Sequence, residues 1–384
     1  MTIISRILIS TLLIIFTATG QANPTNPPAI KQIELSPDGN KMLILRAFTE
    51  NEGYYAVAID LKNKQNKPIM SGSADTSLNW CKWANNQKIV CSLSGSMEMR
   101  ARASRRKGST DGKINIPRRN MYVVDYKTGK SKKLIKTDTK YKASAKEVKV
   151  WGPIQDGVIS WLPESPNEIL IQFNHENLQW PSVYRLNIKD NKLKRVRKYK
   201  SLVSQWLADD QGNVRMGIGF KDQQMRLFLV EDNSTRELKS DEIDGLLPSY
   251  PLGFSKDGQS LYLEQKNETG GKRVIAVSLK DFQKRETLFS SEFASTPEDL
   301  YSPAALRGPG IRQYVPETPL KHLIDASIKQ KYQAVAEAIP GPKETVVSTN
   351  QDWSKFIVYG WDKTSYSYYL FDVPRNQLMK LGGS

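Results

Sequence analysis

The side chains that most often carry catalysis are scarce in this chain. It has two histidines, His175 and His322, and two cysteines, Cys81 and Cys91. A histidine-rich metal centre or a zinc ribbon needs more ligands than that. His175-Glu176-Asn177 is not the HExxH pattern that sets two imidazoles on one helix face, and it reads as a loop or edge histidine. Asp156, Asp209, Asp210, Asp257 and Asp352 sit in or near turns, where an aspartate accepts hydrogen bonds from the backbone just ahead of it. A glycosidase would need two of them to converge across a cleft, and their spacing gives no reason for that. Gly308-Pro309-Gly310 lacks the strand–glycine–helix order of a phosphate loop. The expectation is a chain with no catalytic residue, no metal and no cofactor.

One segment has a chemistry of its own. Met97 to Arg119 holds Arg100, Arg102, Arg105, Arg106, Lys107, Lys113, Arg118 and Arg119 against only Glu98 and Asp111. It reads as a basic loop insertion over about 94–119, either merely solvated or binding an anion: an acidic peptide, a glycan, a lipid headgroup or a partner protein. Lys192 to Lys200 (KLKRVRKYK) adds a second positive face. The whole chain has 56 basic and 40 acidic residues, a net charge of +16. Nucleic acid is disfavoured, because aromatic and basic residues are not interleaved as a stacking platform requires. Trp80, Trp83, Trp151, Trp161, Trp206, Trp353 and Trp361 read as packing between sheets before they read as a ligand shelf.

The start of the chain speaks to compartment. Arg6, the apolar run Ile7 to Phe16, and Gly20 and Ala22 at the −3 and −1 places form the pattern of a secretory signal peptide over residues 1–22. Ten apolar residues cover about half of a ~30 Å hydrocarbon core, so the run reads as a leader and not as a spanning helix. Cleavage after Ala22 would deliver residues 23–384 as an exported, periplasmic or secreted protein. In an oxidising compartment the cysteine pair gains meaning. Cys81 and Cys91 flank a hairpin turning at Asn85-Asn86-Gln87, in a register that sets Trp83 opposite Ile89 and Cys81 opposite Cys91. Opposed residues in an antiparallel pair are close enough for a disulfide.

What must position all of this is a repeat. A turn of Ser, Trp, Asp or Gly type precedes a short apolar strand at residues 36, 83, 161, 206, 255 and 348, in steps of 47, 78, 45, 49 and 93. Ser36-Pro37-Asp38-Gly39 and Ser255-Lys256-Asp257-Gly258 show it most plainly. The step of 78 equals one period plus an insertion, and the step of 93 equals two periods. Each anchor is followed by two alternating strands around a polar turn, as in MYVVDYKTGKSKKLI from Met121 and YYLFDVPRNQLMKL from Tyr368. Four strands per unit of about 45 residues is the mark of a β-propeller blade. The expectation is all-β, a propeller of seven four-stranded blades filling residues 23–384, with the sixth unit degenerate near residue 301. A tandem of β-sandwiches would have no reason to repeat the anchor. One helix interrupts, near 325–338, with Ile328, Tyr332, Val335 and Ile339 at helical spacing.

These blades resemble the N-terminal propeller of bacterial S9 serine peptidases, the group of prolyl oligopeptidase and dipeptidyl aminopeptidase. SPDG at 36–39, NWCKWANNQKIVCS at 79–92, VISWLPESPNEILIQF at 158–173 and YPLGFSKDG at 250–258 carry the resemblance. SPDG-type repeats also occur in TolB-like propellers. In the S9 family the propeller caps a C-terminal α/β-hydrolase domain with a GxSxG nucleophile elbow, and no GxSxG occurs in this sequence. No catalytic residue carries over, so the chain is expected not to be an enzyme. The resemblance implies the propeller's role alone: a non-catalytic module that binds peptide or protein. The alternative is the propeller part of a split or truncated S9 peptidase, with a separate α/β-hydrolase chain as its partner.

Overall fold

The computed structural model describes residues 10–11, 30–48, 53–100, 113–136, 139–143, 146–150, 152–177, 179–232, 234–247, 249–266, 268, 270–291, 307–308, 311–312, 326–339, 343–361 and 366–383. Among them are six four-stranded antiparallel sheets, each a simple meander in chain order, consistent with a β-propeller. The first comprises Ile30–Leu35, Lys41–Ala47, Tyr54–Asp60 and Asn66–Ser71. The second comprises Thr76–Asn85, Lys88–Arg100, Lys113–Asp125 and Ser131–Lys133. The third runs through Gly157–Ser160, Glu168–Phe173, Ser182–Asn187 and Leu193–Arg197. The fourth has Val203–Ala208, Val214–Lys221, Gln224–Glu231 and Ser234–Glu237. The fifth has Tyr250–Phe254, Ser260–Lys266, Lys272–Ser278 and Arg285–Ser291. The sixth has Lys343–Thr349, Lys355–Trp361, Tyr366–Asp372 and Gln377–Gly383. Ser10–Thr11 pairs in parallel along the last of these strands; the rest of the expected leader lies outside the described residues. So does most of the stretch around residue 301 where the degenerate sixth of seven units was expected; a short pairing of two two-residue strands, Arg307–Gly308 with Ile311–Arg312, is described there.

The expected anchor turns are built by their own side chains. Ser36 Oγ donates to Asp38 Oδ1, the Lys41 N–H donates back to Ser36 Oγ at 3.0 Å, and Asn40 N–H donates to Asp38 at 3.0 Å. Ser255, Asp257 and Gln259 repeat the same bonds in the fifth sheet. Burial works against ionisation of Asp38, but hydrogen bonds from Ser36 and Asn40 hold its carboxyl below the usual range. Asp209 and Asp352 cap turns in the fourth and sixth sheets in the same way, as expected. The outer hairpins use a second set of turn residues: Asp60, Asp125, Asn187 and Asp372 each accept backbone N–H groups.

The chain divides into two compact units. One contains most of the first sheet with the fifth and sixth sheets and the helix. There the first and sixth sheets, from opposite ends of the chain, pack on each other through Ile33, Leu35, Ile44, Ile357, Leu370 and Leu381. Leu35 N–H donates to Ser348 Oγ at 3.0 Å, Gln351 N–H to the Pro37 carbonyl at 3.0 Å and Lys355 Nζ to the Gly39 carbonyl at 3.0 Å. Gly39 has φ +65°, and a Cβ there would meet Asn350 Nδ2 at 2.9 Å, so this contact needs glycine twice over. The helix, Ala326–Ala338, lays Val335, with Ile339 just past its end, on Phe356, Val358 and Phe371 of the sixth sheet, and Tyr332 meets Phe356 edge-on at 5.4 Å. The other unit, Gly53–Tyr55 with Met70–Glu242, holds the second, third and fourth sheets. Its largest fully buried side chain among the described residues is Trp206, whose indole N–H donates to the Pro181 carbonyl at 2.8 Å.

Candidate partner-binding site

The second sheet departs from the repeat. Its two middle strands are 13 residues each, against six to eight in the other five sheets. They pair without a break from Lys88↔Asp125 to Arg100↔Lys113. The first strand of the sheet accompanies them only as far as Thr76↔Gly95, and the last only from Tyr122 to Val124. Beyond Gly95 and Arg118 the pair continues alone as a two-stranded arm. The segment expected to be a loop over 94–119 is therefore a strand at both ends, Ser94 to Arg100 and Lys113 to Arg119. The reason is visible in the residues: Met97, Met99, Ile114 and Ile116 alternate with polar neighbours, which is strand patterning. The charge excess overshadowed that signal.

The root of the arm is clamped. Arg119 N–H donates to the Pro153 carbonyl at 2.7 Å and the Arg119 carbonyl accepts from Gln155 N–H at 2.9 Å, so residues 153–155 lie along the arm as a parallel bridge at Ile154. The next residue, Asp156, has its side chain 1% exposed and takes the Arg119 guanidinium at 3.4 Å. Ser92 Oγ donates to the other Asp156 oxygen at 2.8 Å. Asn79 and Ser94 extend the network along the sheet, with Asn79 Nδ2 to Ser92 Oγ at 3.3 Å and Ser94 Oγ to Asn79 Oδ1 at 2.9 Å. Asp156 was expected as a turn aspartate; its side chain is instead the buried counter-ion of the arm. Only its partner, far away in sequence, separates the two roles.

The other sequence candidates fall as follows. Cys81 and Cys91 stand opposite each other in the register that was expected, with Trp83 opposite Ile89, and are disulfide-bonded across a Cα–Cα distance of 4.0 Å. Arg118 is exposed and Arg119 half-buried. Arg100 ends its strand, and Arg102, Arg105, Arg106 and Lys107 lie outside the described residues. The Lys192–Lys200 run forms the outer edge of the third sheet. There Arg195 pairs with Glu176 and Arg197 Nη2 donates to the Asp232 carbonyl at 3.0 Å, while Lys192, Lys194, Lys198 and Lys200 are exposed. Lysines on an edge strand keep other strands from pairing with it, which accounts for that run without a ligand. Where the second and third sheets adjoin, Trp80 and Trp161 meet edge-on at 6.0 Å, with Lys82 Nζ 5.2 Å from the Trp161 ring centre. The third sheet also holds His175 against Phe173 and Tyr184. Burial lowers the His175 pKa, partly countered by Glu176, and burial pushes the Tyr184 hydroxyl up to about 12. Among the described residues no cluster of three or more His, Cys, Asp or Glu could hold a metal ion, and His322 lies outside them.

No protein-family model matches the chain. Dipeptidyl aminopeptidase BIII of Pseudoxanthomonas mexicana is 22% identical over 267 residues, 68% of this chain and 36% of that protein. The chain thus matches about a third of the length of this curated relative. A prolyl endopeptidase structure overlays with a TM-score of 0.52 at 9% identity, covering 93% of this chain and 50% of the other. Dipeptidyl peptidase 4 of Porphyromonas gingivalis overlays more loosely, with a TM-score of 0.43 at 9% identity over 93% of this chain and 46% of that one. The chain resembles the propeller domains of S9-family peptidases, in keeping with the resemblance drawn from its motifs.

Proposed function

We propose that this chain is a non-catalytic, exported β-propeller that binds peptide or protein, as the substrate-gating domain of an S9 serine peptidase does, and that its basic arm supplies the ionic contact. The observation that carries this reading is the clamped arm itself. A blade does not need it, since five other sheets close with middle strands of eight residues or fewer. A buried carboxylate is expensive unless paired, and here that cost goes into fixing the direction of a cationic projection. Arg100, Arg102, Arg105, Arg106, Lys107 and Arg118 are the contact residues in this proposal, and Arg119 holds the root.

The test has two parts. The purified chain should not react with a fluorophosphonate probe for serine hydrolases; labelling would make it an enzyme. Charge reversal of Arg105, Arg106 and Lys107 should weaken binding of a polyglutamate peptide roughly tenfold at low salt and flatten its salt dependence. Unchanged affinity and salt slope would remove the arm from the function. The split-peptidase alternative draws support from one fact, that the match takes in only 36% of the dipeptidyl aminopeptidase. It predicts a stable complex with a separate α/β-hydrolase chain that acquires fluorophosphonate reactivity.

A further inference from the structure

The ladder of the arm fixes where its backbone groups point. Arg119 turns both of its own outward: its N–H donates to the Pro153 carbonyl at 2.7 Å and its carbonyl accepts from Gln155 N–H at 2.9 Å. Along an antiparallel pair, residues whose backbone groups face outward alternate with residues whose groups face the partner strand, and directly opposed residues share one setting. The pairing from Lys88↔Asp125 to Arg100↔Lys113 has no bulge. Pro117, Asn115 and Lys113 therefore share the outward setting of Arg119, and so do Ser96, Glu98 and Arg100, which stand opposite them. The two outer sides of the arm differ. On the side of Lys113–Asp125, Pro117 has no N–H to offer, and residues 153–155 are already seated beside Arg119. On the other side, Thr76–Asn85 covers its neighbour only up to Gly95, where a Cβ would come within 2.8 Å of the Asp75 carbonyl oxygen. Beyond Gly95, no strand among the described residues pairs along that side.

We infer that the outer side of residues 96–100 is a strand-addition site: an extended acidic peptide lies along it and exchanges backbone hydrogen bonds with Ser96, Glu98 and Arg100. This rests on the reading of the arm as a peptide contact and names the mode of binding. An uncovered strand edge is a template for another chain, and main-chain bonds supply the affinity of such complexes. The outer edges elsewhere in this unit are short or lysine-bearing. Ser131–Lys133 and Ser234–Glu237 are three and four residues long, and Leu193–Arg197 lies in the lysine-rich run. Residues 96–100 hold neither Pro nor Lys and extend about 17 Å at ~3.4 Å per residue. Charge selects the occupant. From Gly95 and Arg118 outward the two strands bring Arg100, Lys113 and an exposed Arg118 against Glu98, while Arg119 is taken by Asp156. Two copies of the arm set edge to edge would oppose like charges, in a chain of net charge +16. An acidic strand meets opposite ones. The clamped root holds the edge straight before a ligand arrives, which lowers the ordering cost of binding.

The probe is a short peptide of alternating glutamate and valine, which favours an extended strand. Ser96→Pro removes one outward N–H while keeping every charge and every bond between the two strands of the arm. It should weaken binding of this peptide roughly tenfold. Asn115→Pro makes the same change on the opposite side of the arm and should leave binding within about twofold. N-methylation of the peptide's backbone nitrogens, which keeps its charge, should weaken binding at least as much as Ser96→Pro does. The thermal transition of the Ser96→Pro variant checks its folding. If that variant melts early, amide hydrogen exchange in the parent chain decides. The Ser96 and Glu98 amides should exchange roughly tenfold more slowly with the peptide bound, while the Met97 amide, which faces the partner strand, should change by less than about twofold. Four results would each overturn the inference. These are a folded Ser96→Pro variant that binds as the parent does, an N-methylated peptide bound as tightly, no slowing at Ser96 and Glu98, or self-association of the chain that is lost in Ser96→Pro, which would give the edge to a second copy. Polyglutamate, measured on the same variants, separates the two proposals. If it binds as the alternating peptide does and neither responds to Ser96→Pro, the ionic reading stands and strand addition falls. If the alternating peptide depends on Ser96 and polyglutamate does not bind, strand addition stands and the ionic reading falls.

Discussion

The second and fifth sheets are the same meander put to different ends. In the fifth, the middle strands are seven residues long and the polar groups are satisfied close by. Its buried Gln265 donates to the Gly245 and Leu246 carbonyls and to Ser249 Oγ, each at 3.0 Å, all within 20 residues. In the second sheet the middle strands nearly double in length, and the buried polar group that supports them comes from outside the sheet. Asp156 lies 64 residues beyond Ser92. The difference between these two sheets is one of reach: the buried amide of the fifth is satisfied from residues nearby in sequence, while the lengthened pair of the second is anchored by a carboxylate from well beyond it.

The largest effect should come from breaking that anchor. Asp156→Ala leaves Arg119 and Ser92 without their buried acceptor and should cost about 3 kcal/mol, read from urea unfolding. Gln265→Ala in the fifth sheet should cost less, about 1–2 kcal/mol. Equal losses would erase the contrast between the sheets. Next comes the disulfide at the base of the second sheet. Replacing Cys81 and Cys91 by Ser should cost about 2–3 kcal/mol, the loop-closure value for so short a span, and the arm should then unfold no earlier than the rest of its sheet.

A smaller effect, on the adjoining third sheet, depends on pH. Burial lowers the His175 pKa below its ordinary 6.5. As pH falls through 6.5 the unfolded chain takes up a proton that the folded chain still refuses, so stability should fall with pH from about 6.5 down to the lowered value. Between those limits the folded chain is favoured by higher pH. Denaturation midpoints between weakly acidic and neutral pH should show this slope, and His175→Phe should flatten it; a slope that survives in the variant would assign it to another group. The smallest effect belongs to Arg118, exposed at the start of the arm. Arg118→Glu should change stability by no more than about 0.5 kcal/mol. A larger loss would mean that the arm's exposed charges serve the fold, as Arg119 does.

Much of this molecule was decided locally. Ser36 and Asp38, or Ser255 and Asp257, close a turn with atoms two to five residues apart, so a repeated SPDG-like string is enough to announce a repeated turn. The Cys81–Cys91 bond follows from a tight hairpin whose register is set by the turn at Asn85, which caps Gln87 and Lys88. The helix at Ala326–Ala338 was legible in its apolar spacing, because a 3.6-residue period needs no partner to be seen. The arm was half legible: alternation at Met97, Met99, Ile114 and Ile116 signalled strands, but a dense run of arginine looks like a loop when only composition is weighed. Asp156 was not legible at all. An aspartate beside a turn looks the same whether it caps that turn or reaches a guanidinium, and burial of its side chain to 1% arises only when Arg119 and Ser92 arrive from another strand. Short-range hydrogen bonding is written in neighbouring residues; the partner of a buried charge is chosen by which strands the tertiary structure brings together.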